Sequence, residues 1–299
     1  MRIPFSKWSP CGNITLFLEQ PLPAALHVAI CAAVLQQSHL YAEQSGTIDL
    51  ATIPPKLTMM GGEFCVNATR AFAALLATRG YLKQTGEYQW TGHVTVSGMQ
   101  SPLCVRVAQL DASHFTSAAC LPLFPLPAVK HLGKGISLVR LQGIVHLILD
   151  TACHPLPSEG PEAILHAAAG WREMYALNAE DACGVIWLDH PDACADYLAI
   201  TPVVRVRETD SVFLETSCGS GSLAAVLSRG IMPRHWAVRQ PSGENLNIIL
   251  EETPAPQTAC CDSATPSRTQ WQAWVEGKVD LLAEGITYVD CPNKPHCPA

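Results

Sequence analysis

Short runs in which apolar and polar positions alternate are the dominant pattern along the chain, and a period of two is typical of half-buried strands. The clearest alternation covers residues 89–98 and 103–110. Runs rich in β-branched and apolar residues predict further strands at 13–18, 143–149, 183–188, 203–207, 211–214, 245–251, 279–283 and 286–289. Residues 24–37 and 160–174 have helical patterns instead. Many short strands interrupted by few helices predict an α+β protein with two similar lobes.

Two segments, one in each half of the chain, share a cysteine that is followed by small or polar residues and then by an Ala/Leu-rich helix. These cysteines are Cys65 and Cys218. Apolar positions fall on one face of each predicted helix, at 68, 72, 75 and 76 in the first and at 223, 226 and 227 in the second. C-terminal caps are predicted at Arg79-Gly80 and at Arg229-Gly230. Each cysteine is therefore predicted at the N-terminus of a helix.

A helix N-terminus has chemical consequences for a thiol. Its unsatisfied N–H groups and the positive end of its dipole stabilise a thiolate. If the two cysteines face each other, one thiolate can remove a proton from carbon while the opposite thiol delivers one. The groups predicted to hold a substrate carboxylate are the backbone N–H groups of Asn67, Ala68, Gly219 and Ser220, with Asn13 nearby. The alternative is that both cysteines are helix caps or core residues, but the matching contexts in both halves favour the acid–base pair.

Composition excludes several classes of protein. The 299 residues carry a formal net charge of −7, which argues against a nucleic-acid partner. No uninterrupted apolar run reaches 18 residues, so no membrane span is predicted. Because the first residues lack the apolar core and cleavage site of a signal peptide, we expect a cytoplasmic protein. In that compartment most of the thirteen cysteines should be free thiols packed as small apolar groups.

Metal and nucleotide sites are not predicted. The chain has no C-x-x-C motif, although Cys260, Cys261, Cys291, His296 and Cys297 leave a soft-metal site as an alternative. Residues 219–224 fit a G-x-G-x-x-[GA] pattern without the preceding βα unit or the following acidic residue that dinucleotide binding needs. A lone histidine on a strand, such as His146, is interpreted as structural.

Several segments together resemble the diaminopimelate epimerase superfamily. They are Phe5–Trp8 with Gly12-Asn13, Cys65–Arg70 with Val66 in place of a glycine, Cys218–Gly221 with Ser220 in place of a threonine, Pro241–Leu246, and Val275–Gly277 with Gly285. The resemblance spans most of the chain. It implies two pseudo-symmetric lobes, each a mixed barrel-like sheet around a central helix, with one catalytic cysteine from each lobe and no cofactor. We expect an N-terminal lobe at 1–128, a C-terminal lobe at 129–275, and closing strands at 276–299 that return to the first lobe.

The resemblance also narrows the substrate. Diaminopimelate epimerase has a Glu-Arg pair before its second cysteine, whereas Glu208 is followed here by a threonine. Residues 42–46 and 61–65 resemble the histidine racemase branch, which supplies opine metallophore synthesis. The resemblance thus implies conversion of L-histidine to D-histidine, with a small-molecule amino acid as partner and neither nucleic acid nor membrane, and it leaves a homodimer open. The alternatives are a diaminopimelate or proline-type epimerase, and a non-catalytic Cys-rich metal-binding protein.

One acidic residue is a candidate for recognising the imidazole. Glu43 could accept a hydrogen bond from an imidazole N–H, or it could be a solvated charge at a helix end. The complete set of predicted substrate-binding residues is Asn13, Glu43, Gln44, Val66, Asn67, Ala68, Glu208, Gly219 and Ser220.

Overall fold

The computed structural model describes residues 1–124, 126–190, 197–230, 232, 234–254 and 269–290. Within these ranges the helices are α1 Ala24–Leu35, α2 Val66–Thr78, α3 Pro161–Met174 and α4 Gly219–Ser228. The strands are β1 Arg2–Pro10, β2 Thr15–Leu18, β3 Gln44–Asp49, β4 Lys56–Met59, β5 Lys83–Gly86, β6 Gln89–Val96, β7 Leu103–Gln109, β8 His114–Pro122, β9 Ala128–Gly133, β10 Ile136–Leu141, β11 Ile144–Asp150, β12 Ala182–Asp189, β13 Tyr197–Val206, β14 Ser211–Leu214, β15 Arg234–Arg239, β16 Asn245–Pro254 and β17 Thr269–Tyr288. None of the helices in the described ranges is both long and apolar enough to cross a membrane.

Two curved sheets that share β17 form the two lobes. In the first lobe, strands β1, β2, β3, β4, β6, β7, β8 and β17 pair in a closed ring. In the second lobe, β17 continues through β16, β15, β13, β12, β11 and β10 to β9. The predicted α+β class and its two sheet-and-helix lobes are confirmed.

Helices α2 and α4 lie at the centres of the two lobes. Every residue of α2 from Val66 to Ala77 is buried, and so is every residue of α4 from Gly219 to Leu227. A helix buried on all sides carries small or apolar residues on most of its surface, as both Ala/Leu-rich segments do. In α2 the exceptions Asn67, Thr69 and Arg70 are buried polar residues. Both helices end as predicted, at a C-capping arginine followed by a glycine with positive φ, +76° at Gly80 and +110° at Gly230.

Strand β17 corrects one prediction. Residues 279–283 and 286–289 were expected to form two strands around Gly285, but they belong to a single strand of 20 residues, apart from Val289 beyond its end. Gly285 lies near the C-terminal end of this strand, within the pairing and opposite Phe5, where an added Cβ would stand 3.2 Å from the Phe5 ring. The glycine therefore makes room for an aromatic ring and does not form a turn.

The proposed division of the chain stays a prediction, but the pairing of the strands bears on it. The boundary at residue 128 coincides with the start of β9, which pairs with β10 in the second lobe. Strand β17 pairs with β8 of the first lobe from Gln272 onward, before the predicted boundary at 276. The predicted surface loop at 253–269 and the Cys/His tail at 291–297 lie outside the described residues, apart from 253, 254 and 269, which belong to β16 and β17.

Candidate active site

The N-termini of the two central helices meet at the lobe interface. Cys65 is the N-cap of α2 and Cys218 the N-cap of α4, both with extended backbone conformations. Gly219 packs directly on the other helix, since a Cβ added to it would lie 2.8 Å from Cβ of Val66. The absence of a side chain at Gly219 therefore allows the two helix ends to approach, and both cysteines line one cavity between the lobes.

Most of the predicted site residues line this cavity. Those that do so are Asn13, Glu43, Gln44, Cys65, Val66, Asn67, Cys218, Gly219 and Ser220. Two predicted residues do not. The N–H of Ala68 donates to Sγ of Cys65 at 3.4 Å, and Glu208 lines a neighbouring cavity. Of the backbone groups predicted to hold a carboxylate, those of Asn67, Gly219 and Ser220 line the cavity, and their binding of a carboxylate stays a prediction.

The two thiols have a backbone hydrogen-bond donor at the same relative position. Each Sγ accepts a hydrogen bond from the third residue after it, Ala68 N–H at 3.4 Å and Gly221 N–H at 3.3 Å. The Cys65 thiol also donates to Oε1 of Gln44 at 3.2 Å. Gln44 in turn is held by its amide, which donates to Oδ1 of Asn13 at 2.6 Å. This chain of bonds fixes the direction in which the Cys65 thiol points.

Burial reverses the predicted effect of the helix ends on the thiols. The N–H groups of Ala68 and Gly221 lower the pKa of the two cysteines, as expected at a helix N-terminus. Burial outweighs them, raising the pKa of Cys65 to about 12 and that of Cys218 well above its ordinary value. Both cysteines are therefore thiols at this interface, and a nearby base is needed to produce a thiolate.

Glu215 supplies such a base and is missing from the predicted set. Its carboxylate accepts a hydrogen bond from the Cys218 thiol, and burial raises the pKa of Glu215 to about 7. The negative charges of Glu43 and Glu63 raise it further. In the sequence, only its position three residues before Cys218 indicates that Glu215 could reach the thiol. The extended backbone at Cys218 accompanies this approach.

Glu43 joins the lobes. Its Oε2 accepts from Nδ2 of Asn13 at 2.8 Å, and its Oε1 accepts from the backbone N–H of Ile14 at 3.1 Å. The Thr216 hydroxyl of the second lobe lies 3.0 Å from Oε1 and 3.1 Å from Oε2. Glu43 is thus hydrogen-bonded within the protein and is not a solvated charge. Its predicted contact with substrate stays a prediction.

His146 belongs to the same region. Its Nε2 lies 3.0 Å from Oγ of Ser220, and that oxygen lies 3.7 Å from Sγ of Cys218. Burial lowers the pKa of His146 to about 3, so its imidazole is neutral. The ring is paired in register with Gly184 on β12, where a Cβ would stand 2.3 Å from Nδ1. A histidine interpreted from the sequence as structural therefore orients a hydroxyl beside the second cysteine.

The geometry can be compared with known proteins. A sequence profile of the histidine racemase CntK N-terminal domain matches residues 2–288. The chain belongs to the histidine racemase family. It is 29% identical over 296 residues to a histidine racemase of Fusobacterium nucleatum subsp. nucleatum, covering 95% of this chain and 96% of the relative. It is 23% identical over 299 residues to a histidine racemase of Staphylococcus aureus, covering 96% and 98%.

Solved structures share the fold of this histidine racemase family member. A hydroxyproline epimerase from Agrobacterium vitis superposes with a TM-score of 0.69 at 12% identity, covering 97% of this chain and 94% of the epimerase. A probable proline racemase from Agrobacterium radiobacter superposes with a TM-score of 0.66 at 12% identity, covering 99% and 94%. The family profile and the histidine racemase relatives, together with this shared fold, confirm the resemblance found in the sequence and the assignment to the isomerases. Among the described residues, no three His, Cys, Asp or Glu side chains are placed so that they could hold one metal ion together.

Proposed function

We propose that this protein is a cofactor-independent histidine racemase that interconverts L- and D-histidine with Cys65 and Cys218 as its acid–base pair. The observation that carries the proposal is the pair of N-capping cysteines on the two central helices, both lining one cavity. Membership of the family and the named activity of the relatives support histidine as the substrate.

Racemisation by this pair moves two protons. A thiolate on one side takes the α-proton of the bound amino acid, and the electron pair of the C–H bond remains on the substrate. The thiol on the other side then gives its proton to the opposite face of the same carbon. The cysteine that took the α-proton ends as a thiol, and the cysteine that gave its proton ends as a thiolate, so atoms and charge balance.

Glu215 accounts for the first thiolate. Its carboxylate accepts the hydrogen bond of the Cys218 thiol, so the proton can pass from Sγ to the carboxyl. Because the pKa of Glu215 is about 7 and burial raises the pKa of Cys218 well above its ordinary value, the carboxylate is a weaker base than the thiolate, and this transfer is uphill. The thiolate is therefore formed only transiently, as the substrate reacts. Activity therefore requires Glu215 to be deprotonated before substrate reacts.

The helix ends stabilise charge on the substrate. Backbone N–H groups at the start of α2 and α4 hold its carboxylate and stabilise the negative charge that develops on deprotonation. A carboxylate held by both helix ends would bridge the lobes, so binding should draw them together. Closing the cavity in this way would exclude water and strengthen these dipoles.

The decisive test combines solvent exchange with chirality. Histidine, proline, hydroxyproline and diaminopimelate are incubated with the protein in D₂O and followed by NMR and chiral chromatography. We expect α-deuteration and the opposite enantiomer for histidine, no pyridoxal absorbance, and no effect of EDTA. Preference for proline or diaminopimelate would replace histidine as substrate. Activity lost with EDTA and restored by one metal ion would contradict the mechanism and favour the Cys-rich metal-binding alternative.

Three finer features remain part of the proposal. A cytoplasmic location, a homodimer and a role in supplying D-histidine to opine metallophore synthesis are consistent with the activity of the family. Cell fractionation, light scattering after gel filtration, and metabolite analysis of a deletion strain test them separately.

A further inference from the structure

Three carboxylates line the cavity, and they differ in what already binds them. Glu43 accepts hydrogen bonds from Asn13 and Ile14 and lies against the Thr216 hydroxyl. Glu215 accepts one from Cys218. The backbone N–H groups of Gly61 and of Glu63 itself lie near enough to the Glu63 carboxyl to lower its pKa, but its Oε2 is buried and has no hydrogen-bond partner among the described residues. A buried oxygen without a donor is costly, so its presence in a cavity calls for an explanation.

The backbone of Glu63 is firmly held at the cavity wall. Its carbonyl oxygen accepts a hydrogen bond from the Ser97 hydroxyl at 2.8 Å. Gly98, with φ at +75°, packs so closely that an added Cβ would lie 3.0 Å from the carbonyl carbon of Glu63. The residue precedes Cys65 by two positions and lines the same cavity as both cysteines. The carboxylate is thus presented to the cavity from a fixed point.

Gly61 gives this carboxylate its space. A Cβ at Gly61 would stand 2.8 Å from Oε2 of Glu63, 3.1 Å from Val206 and 3.2 Å from Thr209. The free oxygen therefore lies between the corner before α2 and residues of the second lobe. Burial raises the pKa of the Glu63 carboxyl by more than the nearby backbone N–H groups of Gly61 and Glu63 lower it, so a further donor arriving with the substrate would stabilise its ionised form.

We propose that Oε2 of Glu63 accepts a hydrogen bond from a ring N–H of the histidine imidazole and is the residue that selects this side chain. This inference rests on the proposed histidine racemase activity and deepens it. Glu43, whose oxygens already have donors, then acts mainly between the lobes. A site built around an unpartnered acceptor rejects ligands that lack the matching donor, because the acceptor would remain unpaired.

The experiment compares two substrates of similar shape. Histidine carries a ring N–H, whereas β-(4-thiazolyl)alanine has a five-membered ring without one. The ratio of their kcat/KM values is measured for the wild type, Glu63→Met, Glu63→Gln and Gly61→Ala. We expect the preference for histidine to fall about 10- to 100-fold in Glu63→Met, mostly through KM for histidine. Glu63→Gln retains an acceptor oxygen and should restore part of the preference.

Gly61→Ala keeps the carboxylate but displaces it, and it should lower the preference in the same direction. Glu43→Met serves as the comparison variant and should reduce turnover of both substrates alike. If Glu63→Met also reduces the turnover of both substrates and leaves the ratio of their kcat/KM values unchanged, the inference is overturned. If Glu63→Met does not fold, an unchanged ratio in both Glu63→Gln and Gly61→Ala has the same meaning.

The two proposals can fail separately. If the wild type racemises histidine but the variants keep the wild-type ratio of kcat/KM values for the two substrates, the racemase activity is supported and the proposed role of Glu63 is wrong. Wild-type protein that exchanges no α-proton of histidine in D₂O would remove both.

Discussion

Asn67 in the first lobe and Ser217 in the second are joined across the interface. Nδ2 of Asn67 donates to the carbonyl oxygen of Ser217 at 2.9 Å, directly before Cys218. The other end of the Asn67 amide accepts from Nη2 of Arg70 at 2.9 Å, which fixes its orientation. One buried amide thus sets the position of the second cysteine relative to the helix that carries the first.

Replacing this amide should loosen the interface. Asn67→Asp keeps the shape but places an acceptor against the Ser217 carbonyl, so we expect a loss of about 1–3 kcal/mol in the free energy of unfolding and a fall in kcat. Urea denaturation and racemisation rates measure the two effects. Asn178→Asp, at an exposed position, is the matched control and should stay within about 0.5 kcal/mol of wild type. Equal effects of the two variants would contradict this role.

Each active-site cysteine should be required. Cys65→Ala and Cys218→Ala should each lower racemisation by about 10²- to 10⁴-fold, because every turnover needs one base and one acid. The double variant should be little worse than either single one, since the pair acts as a unit. Cys153→Ala, at an exposed thiol, is the control and should keep wild-type rates. Near-normal racemisation by either active-site variant would contradict the assignment of Cys65 and Cys218 as the acid–base pair.

The pH dependence of activity should follow Glu215. Its pKa is raised to about 7, so kcat/KM should rise as pH increases through about 7 and the carboxylate becomes able to take the Cys218 proton. Glu215→Gln should abolish this limb and lower the rate. The exposed substitution Glu173→Gln should leave the profile intact. An unshifted limb in Glu215→Gln would exclude Glu215 as its source.

Stability should respond to the same group in the opposite direction. A carboxyl whose folded pKa is raised from 4.5 to about 7 favours the native state when protonated. Its contribution is complete below pH 4.5 and is lost as pH rises through about 7. Glu215→Gln should therefore flatten the decrease in Tm over this interval. A slope equal to that of wild type would contradict the assignment.

Two glycine-to-alanine substitutions should have opposite effects. At Gly184 a Cβ would stand 2.3 Å from His146 Nδ1, so Gly184→Ala should cost about 1–3 kcal/mol and displace the ring from Ser220. At Gly170 in helix α3 no atom lies within 4 Å of the added Cβ. There the substitution should stabilise by about 0.5–1 kcal/mol through helix propensity. Urea denaturation compares them, and similar changes in both would refute the packing argument.

Much of the fold could be predicted because its signals are local. The alternation at 89–98 appears as β6, the Ala/Leu runs appear as α1 and α2, and the helix ends at Gly80 and Gly230 follow from the glycines themselves. Strand β8 could not be predicted from such local signals. Its central residues are buried on both faces, so no period of two is present to reveal it.

The sequence by itself determined the two cysteines and their helix N-termini, because an N-cap and a following helix depend on neighbouring residues. Only the tertiary structure decided the chemistry around them. Contacts between residues that are not neighbours in a single helix or strand create this chemistry. They are those of Glu43 with Thr216, of Glu215 with Cys218 and of His146 with Ser220. Burial, too, is a property of the packed lobes, and it raises the pKa of Cys65, which the helix end alone would lower. Desolvation by distant parts of the chain thus outweighs a local dipole that the sequence could show.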